Sequence, residues 1–338
     1  MDSSSQLLFA PDHWRLDPPA AAAPVRSSPP VFANSDVFVP GWFALARSSA
    51  LRRGRVREVQ IGPRRLVLWR DGDGQARAFD AACPHLGANL TLGCVVNGEL
   101  RCALHHWRFS GDGTCNSSPG TRPTSTRRAP SYPVIERYGL VFVYPGRTPP
   151  RPLPPMPDGD DPARFHAVVL PPARLRCHHH LTTANGLDAL HFDGLHNVEP
   201  LTAGRYEVDE EALAVHLYLD GRHRGKLLRA LTGGRFCGRF SAHGPSIAWV
   251  TLFEPIRWHS LFVTRPVPGG SASRAIFFLP RGQVLRTLRS VAFLMSLLSQ
   301  DGAQLNAMET FRPTFVGSDA PLAAYGRMLE AWHQEAGR

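Results

Sequence analysis

Lysine is almost absent from this chain, which has 37 arginines but only Lys226. The formal charge of +10 is therefore carried by arginines, scattered singly or in short pairs such as Arg52-Arg53, Arg64-Arg65 and Arg127-Arg128. Without a concentrated basic stripe, nucleic acid is not the expected partner, and a solvated basic face or a docking face for an acidic protein is. Cysteine is scarce too: six in 338 residues do not make a disulfide scaffold. Long apolar runs are missing. The start MDSSSQLLFAPDH has no basic segment ahead of its short apolar run, and Val291 to Leu298 is under half of the roughly 20 residues that span a bilayer. The expectation is no membrane span, a cytoplasmic location and reduced thiols.

What is present is globular. Apolar residues make up 43% and charged residues 20%, which rules out wholesale disorder. The length suggests about two domains. Prolines punctuate the chain. Residues 1–37, rich in Pro, Ala and Ser, read as an arm, and residues 146–162, in a run of eight prolines counted from Pro145, read as a semi-rigid linker. Between them, residues 38–145 carry short strand signals around the hairpin turn Asp71-Gly72-Asp73-Gly74, which predicts a small all-β domain. Residues 163–338 mix strand signals (165–170, 213–219, 247–253, 260–264, 275–279) with helical periodicity at about 182–197, 284–310 and 321–336. An α+β arrangement, antiparallel sheet with helices packed on it, follows.

Two constellations carry chemistry. The first is Cys83-x-His85, then sixteen residues, then Cys102-x-x-His105. Each half offers one thiolate and one imidazole. Structural zinc sites more often pair like ligands within each half. Mixed pairs suit a [2Fe–2S] cluster with two thiolates on one iron and two imidazoles on the other. Cys94, Cys115, Cys177 and Cys237 read as small buried thiols. This string resembles the Rieske iron–sulfur family, and the resemblance implies that Cys83 and Cys102 hold one iron while His85 and His105 hold the other. Ala103 stands where such families usually have proline.

The second constellation is Asn185-x-x-Asp188-x-x-His191-x(4)-His196. On a helix, Asn185, Asp188 and His191 share a face. His191 and His196 would lie about 140° apart, so both reach one ion only if the helix breaks between them, and Gly194 offers the place. Two imidazoles plus a carboxylate with open positions describe a non-haem Fe(II) oxygenase site.

Together the two constellations resemble the α subunits of Rieske non-haem iron oxygenases. The resemblance implies a helix-grip-like catalytic domain, a Rieske cluster and a mononuclear Fe(II), with O2 as co-substrate. It also implies electrons from NAD(P)H through a flavin reductase or ferredoxin, and a homotrimer in which the Asp188 carboxylate bridges one chain's cluster histidine and its neighbour's iron ligand. The family draws its third iron ligand from a late helix. Asp301, after an apolar stretch, is the expected one, with Glu309 and Asp319 as alternatives; the run His178-His179-His180 reads as a decoy. The segments FVPGWFALARSSAL and CPHLGANL look most like the branch of 3-ketosteroid hydroxylases, cholesterol desaturases and prodiginine oxidative cyclases. That favours a bulky apolar small-molecule substrate, with hydroxylation, desaturation or ring closure as outcomes. The rival readings are a Rieske electron carrier, which leaves Asn185 to His196 unexplained, and a colourless zinc-binding interaction protein.

Overall fold

The computed structural model describes residues 31–120, 127–201, 205–226, 235–254, 256–308 and 319–337, with a few shorter stretches. The chain forms two compact units: Pro40–Pro149 with Arg265–Pro268, and the remainder.

The smaller unit is all antiparallel β. One four-stranded sheet joins Arg57–Ile61, Arg64–Arg70, Ala76–Asp80 and Ser131–Tyr132. A three-stranded sheet joins Phe43–Arg47, Leu140–Val143 and Val134–Arg137, and a second four-stranded sheet runs from Cys94–Val96 to Cys115–Ser117. Arg64–Arg70 organises the unit, because side chains alternate along a strand and here both faces are covered. Leu66 and Leu68 enter a core with Phe43, Val141 and Val143. Val67 and Trp69 enter another with Leu90, Leu100, Cys83, Cys102 and Trp107. The turn after this strand is held by Asp71, whose Oδ1 accepts from the N–H groups of Asp73 and Gln75 and whose Oδ2 pairs with Arg77 at 2.6 Å.

The larger unit is built on a ten-stranded sheet. Its main path runs Gln6–Leu7, Arg205–Asp209, Ala214–His223, Arg235–His243, Ile247–Glu254, Trp258–Val267, Gly270–Pro280, Phe165–Val169. The strand Arg235–His243, in the middle of this path, has no counterpart among the sequence expectations; Gly238 interrupts its apolar alternation and conceals it. Four α-helices are described: α1 (His179–Ala184), α2 (Ala189–Gly194), α3 (Val284–Ala307) and α4 (Ala320–Ala336). The expected helix over 182–197 is thus broken, with a 3-10 turn at Asn185–Leu187 between α1 and α2. None of the helices is long and apolar enough to cross a membrane. One sheet face packs Leu217, Leu219, Phe240, Val250, Leu252 and Phe277 against Leu294 and Leu297 of α3 and Tyr325, Leu329 and Trp332 of α4.

Two segments are more firmly held than an arm and a linker would be. Val31, Phe32 and Ala33 are buried, with Phe32 edge-on to Tyr325 at 5.8 Å; most of residues 1–30 lie outside the described residues. Residues 150–162 belong to the larger unit, and Leu153 and Met156 within them are buried. Asp158 pairs with Arg239 at 2.8 Å, and Asp160 accepts from Nε2 of the buried His259 at 2.9 Å. Arg151 meets Glu335 of α4 at 2.6 Å.

Helix α1 opens on three buried histidines. Nδ1 of His178 caps the helix by accepting the His180 N–H, and Nδ1 of His180 accepts the N–H of Ala33. Burial pushes His178 down to about 4, and holds His179 and His180 well below the usual value of 6.5. An unfolded chain protonates these rings near pH 6.5 while the folded one does not. The unfolded state therefore binds more protons as pH falls below 6.5, so stability drops on acidification from there toward pH 4. His178→Asn keeps a capping acceptor and removes one titrating ring. Denaturant melts at pH 7 and pH 5 will show a stability difference smaller in the variant by on the order of 1 kcal/mol.

Candidate metal centres and pocket

In the smaller unit, the loops after Cys83 and Cys102 are the same turn used twice. The N–H of Cys83 donates to Ala88 O at 2.8 Å and Gly87 N–H returns to Cys83 O at 2.9 Å; Cys102 donates to Trp107 O at 2.8 Å and His106 returns to Cys102 O at 3.1 Å. The fourth residue after each cysteine is left-handed, at φ 74° for Gly87 and 57° for His106. Glycine takes that conformation freely, whereas His106 adopts it at a cost. The turn buries both thiols and leaves His85 and His105 exposed, with ring centroids 4.7 Å apart. Trp107 stacks on His85 at 4.4 Å and 10°.

Thiol thus neighbours thiol and imidazole neighbours imidazole. The four do not converge on one point: the groups compact enough for a single ion among the described residues lie elsewhere. Like paired with like is what two irons need, and it answers the zinc alternative. Burial, aided by Cys102 and Cys115 nearby, pushes the Cys83 thiol up to about 11, while the backbone N–H of His85 at its sulfur works the other way. Such a thiol keeps its proton at neutral pH until a bound metal displaces it.

The larger unit brings together His191, His196 and Asp301, whose ligand atoms all lie within 4.8 Å of one another. Helix α2 ends at Gly194, and the His196 N–H donates to the His191 carbonyl, five residues back. This widened turn brings the two rings to 4.9 Å between centroids. Asp301 arrives from α3, its Oδ1 2.9 Å from Nε2 of His196 and 3.6 Å from Nε2 of His191. Short as the first distance is, its geometry is not that of a hydrogen bond, and both atoms are buried without a hydrogen-bond partner. Buried polar atoms left in this state aim at a shared point, which suits a cation.

The far side of each ring is fixed. Nδ1 of His196 donates to Oε1 of Gln300 at 2.9 Å, and Nδ1 of His191 donates to the backbone carbonyl of Asp188. Each proton on Nδ1 leaves a lone pair on Nε2, facing Asp301. Burial opposes charge on both rings. At His191 it prevails over Asp301 and lowers the pKa; at His196 the close Asp301 and Gln300 outweigh it and raise the pKa.

Asp188 differs from the sequence expectation in which atom meets His191. The backbone carbonyl makes that bond, while carboxylate Oδ1 caps α2 by accepting the N–H groups of Leu190 and His191. Asn185 lines the cavity beside the triad, in the turn before Asp188. Gly186 follows it, and a Cβ there would lie 2.5 Å from Phe240 Cδ1, so glycine lets this turn press against the sheet. The cavity, which with the open solvent at its mouth amounts to about 570 Å³, is walled by Phe192, Phe240, Val250, Phe262, Leu294 and Leu297.

The remaining candidates separate cleanly. Glu309 lies outside the described residues, and Asp319 sits at the start of α4, outside the compact three-ligand groups. The ligand atoms of His178, His179 and His180 also lie within 4.8 Å of one another. There, however, the Nδ1 lone pairs of His178 and His180 already accept backbone N–H groups, so their protons sit on Nε2 and neither ring has a lone pair to give. Cys115 and Cys177 are buried, but Cys94 and Cys237 are only half-buried, contrary to the expectation for all four. Gln300 is not among the residues the sequence singles out, because nothing local shows which way its turn of α3 faces. Gln300→Leu removes the acceptor that fixes the His196 tautomer, so affinity for Fe(II) or Co(II) at the triad will fall by about 10–100-fold in a metal titration.

Comparison with known proteins fits this geometry. Residues 41–136 match the Rieske [2Fe-2S] domain family. The chain is 32% identical over 197 residues to cholesterol 7-desaturase of Bombyx mori, covering 56% of this chain and 42% of that one. It is 32% identical over 117 residues to the oxygenase component of 3-ketosteroid-9-alpha-monooxygenase from Rhodococcus rhodochrous, covering 33% and 31% of the two. The chain thus spans less than half the length of these curated relatives. Its fold is similar to that of dicamba monooxygenase bound to 3,6-dichlorosalicylic acid, with a TM-score of 0.68, 22% identity, and 88% and 98% of the two chains covered. The chain thus contains a Rieske [2Fe–2S] domain, with a sheet-and-helix unit after it in sequence, and it is similar over the stretches given to desaturase and oxygenase chains.

Proposed function

We propose that this protein catalyses the O2-dependent oxidation of a bulky, largely apolar small molecule, steroid-like or a natural-product intermediate. The observation that carries the reading is the pair of buried, unpartnered atoms, Nε2 of His196 and Oδ1 of Asp301, facing His191 at the edge of an apolar cavity. When bound, a [2Fe–2S] cluster at Cys83, His85, Cys102 and His105 supplies single electrons, and Fe(II) at His191, His196 and Asp301 activates dioxygen. The chain's own residues prepare that chemistry. Gln300 and the Asp188 carbonyl hold protons on Nδ1 of the two rings, Asp301 supplies the one negative charge, and the Phe192, Phe240 and Phe262 side of the cavity excludes water. Hydroxylation is the default outcome, with desaturation or oxidative ring closure available to the same site.

The partners follow from the same reading: a reductase or ferredoxin as electron donor, a cytoplasmic setting, and a homotrimer in which Asp188 lies between the site and a neighbouring chain's cluster loops. A pure electron carrier would need only the first four residues and gives His191, His196 and Asp301 no task.

Iron, acid-labile sulfide and an EPR spectrum on anaerobically purified protein test the reading. About three irons per chain, two of them in a Rieske signal, are expected; two irons even after ferrous reconstitution would make it a carrier. Asp301→Ala will lower the count from about three to about two and leave the cluster spectrum intact. Asp188→Asn preserves a good helix cap and removes only the charge, so it will retain both metals and lose turnover; retained turnover would remove Asp188 from electron delivery.

A further inference from the structure

Among the described residues, no arginine or lysine side chain lines the cavity beside the triad, and the one carboxylate there is that of Asp301. Its hydroxyl side chains are engaged elsewhere. Thr182 Oγ1 meets Cys177 Sγ at 3.3 Å and Ser271 Oγ at 3.2 Å. Thr183 Oγ1 donates to the carbonyls of His179 and Pro245, at 3.0 and 3.2 Å. Ser241 Oγ is 2.7 Å from Nδ1 of His216, across the strand pair. The carboxamide of Asn185 is different: it makes no hydrogen bond within the described residues, and it is half-buried on the cavity wall.

We infer that the substrate is a neutral, ring-containing apolar molecule that carries one hydrogen-bonding group, such as a carbonyl, and that Asn185 is the residue that anchors it. The inference rests on the reading above that this cavity is where substrate binds, and narrows it. A carboxylate entering here would lose its hydration with no guanidinium or ammonium among the described residues to replace it, and it would approach the Asp301 charge; the cation offered to it is a metal ion in the triad itself. A neutral ring system is stabilised by contact with the Phe192, Phe240 and Phe262 walls. Its single polar atom finds in Asn185 both a donor and an acceptor, so a carbonyl or a hydroxyl can be matched.

Three ligands with one ring system decide the matter: 2-acetylnaphthalene, 2-methylnaphthalene and 2-naphthoate. Their equilibrium binding is measured on the full chain with a chelator present, so that the cavity wall alone is read and no turnover is needed. Iron counted on an unchelated portion of the same preparation keeps failure of the metal reading separate from failure of this one. The ketone is expected to bind tightest, the hydrocarbon about five- to tenfold more weakly for want of one hydrogen bond, and the anion at least about 100-fold more weakly than the ketone. Asn185→Leu, of similar volume, is expected to bring the ketone down to the hydrocarbon's affinity and leave the hydrocarbon unchanged, with thermal melts confirming an intact fold. Naphthoate binding on a par with the ketone overturns the inference. So does an Asn185→Leu variant with undiminished preference for the ketone, or failure of all three compounds to bind.

Discussion

Everything in the larger unit serves one demand: two imidazole nitrogens and one carboxylate oxygen must face the same few ångströms of space with no hydrogen bond to satisfy them. A regular helix cannot meet it with histidines five residues apart. The chain therefore leaves α2 at Gly194 and closes a wider turn, so that His196 swings back toward His191. The carboxylate comes from α3, over a hundred residues away, and can arrive only if that helix lies on the sheet face that also carries Phe240 and Val250. Leu294 and Leu297 fix the helix there, and Asp301 follows one turn later. The apolar packing is thus what holds a charge in an otherwise unfavourable place.

The same logic explains why the polar support is mostly backbone and amide. A charged acceptor behind His191 would pull its proton more strongly and compete with Asp301 for positive charge. The Asp188 carbonyl and the Gln300 amide orient the rings without adding charge, while the Asp188 carboxylate is occupied at the start of α2. Uncharged support also leaves Asp301 as the one carboxylate or guanidinium charge on the cavity wall among the described residues.

The chemistry of the two centres was legible in the sequence because each is written as a short spacing of rare residue types. Cys83, His85, Cys102 and His105 announce themselves, and the five-residue gap from His191 to His196 demands a break that Gly194 then provides. The need for a distant carboxylate was also visible, and Asp301 stood out against its apolar helix. Other features were hidden for physical reasons. Gln300 is an ordinary surface-compatible residue whose role depends on which way one turn of α3 faces. The strand Arg235–His243 lacks an unbroken apolar rhythm, being held by neighbours on both sides instead of by its own composition. Segments rich in proline look detached in sequence, yet Asp158, Asp160 and Arg151 secure theirs through partners 60 to 184 residues away. Pairings at that range leave no local signature.

The strand Arg64–Arg70 divides its work between alternate residues. Substitution at Leu66 or Leu68 changes packing in a core remote from the cysteine loops, whereas substitution at Val67 or Trp69 alters the apolar layer against which Cys83 and Cys102 lie. Around an iron–sulfur centre, the polarity of that layer sets how readily an electron is accepted. One seven-residue strand therefore lets natural variation adjust redox tuning and domain stability on opposite faces, almost independently, within a single stretch of sequence.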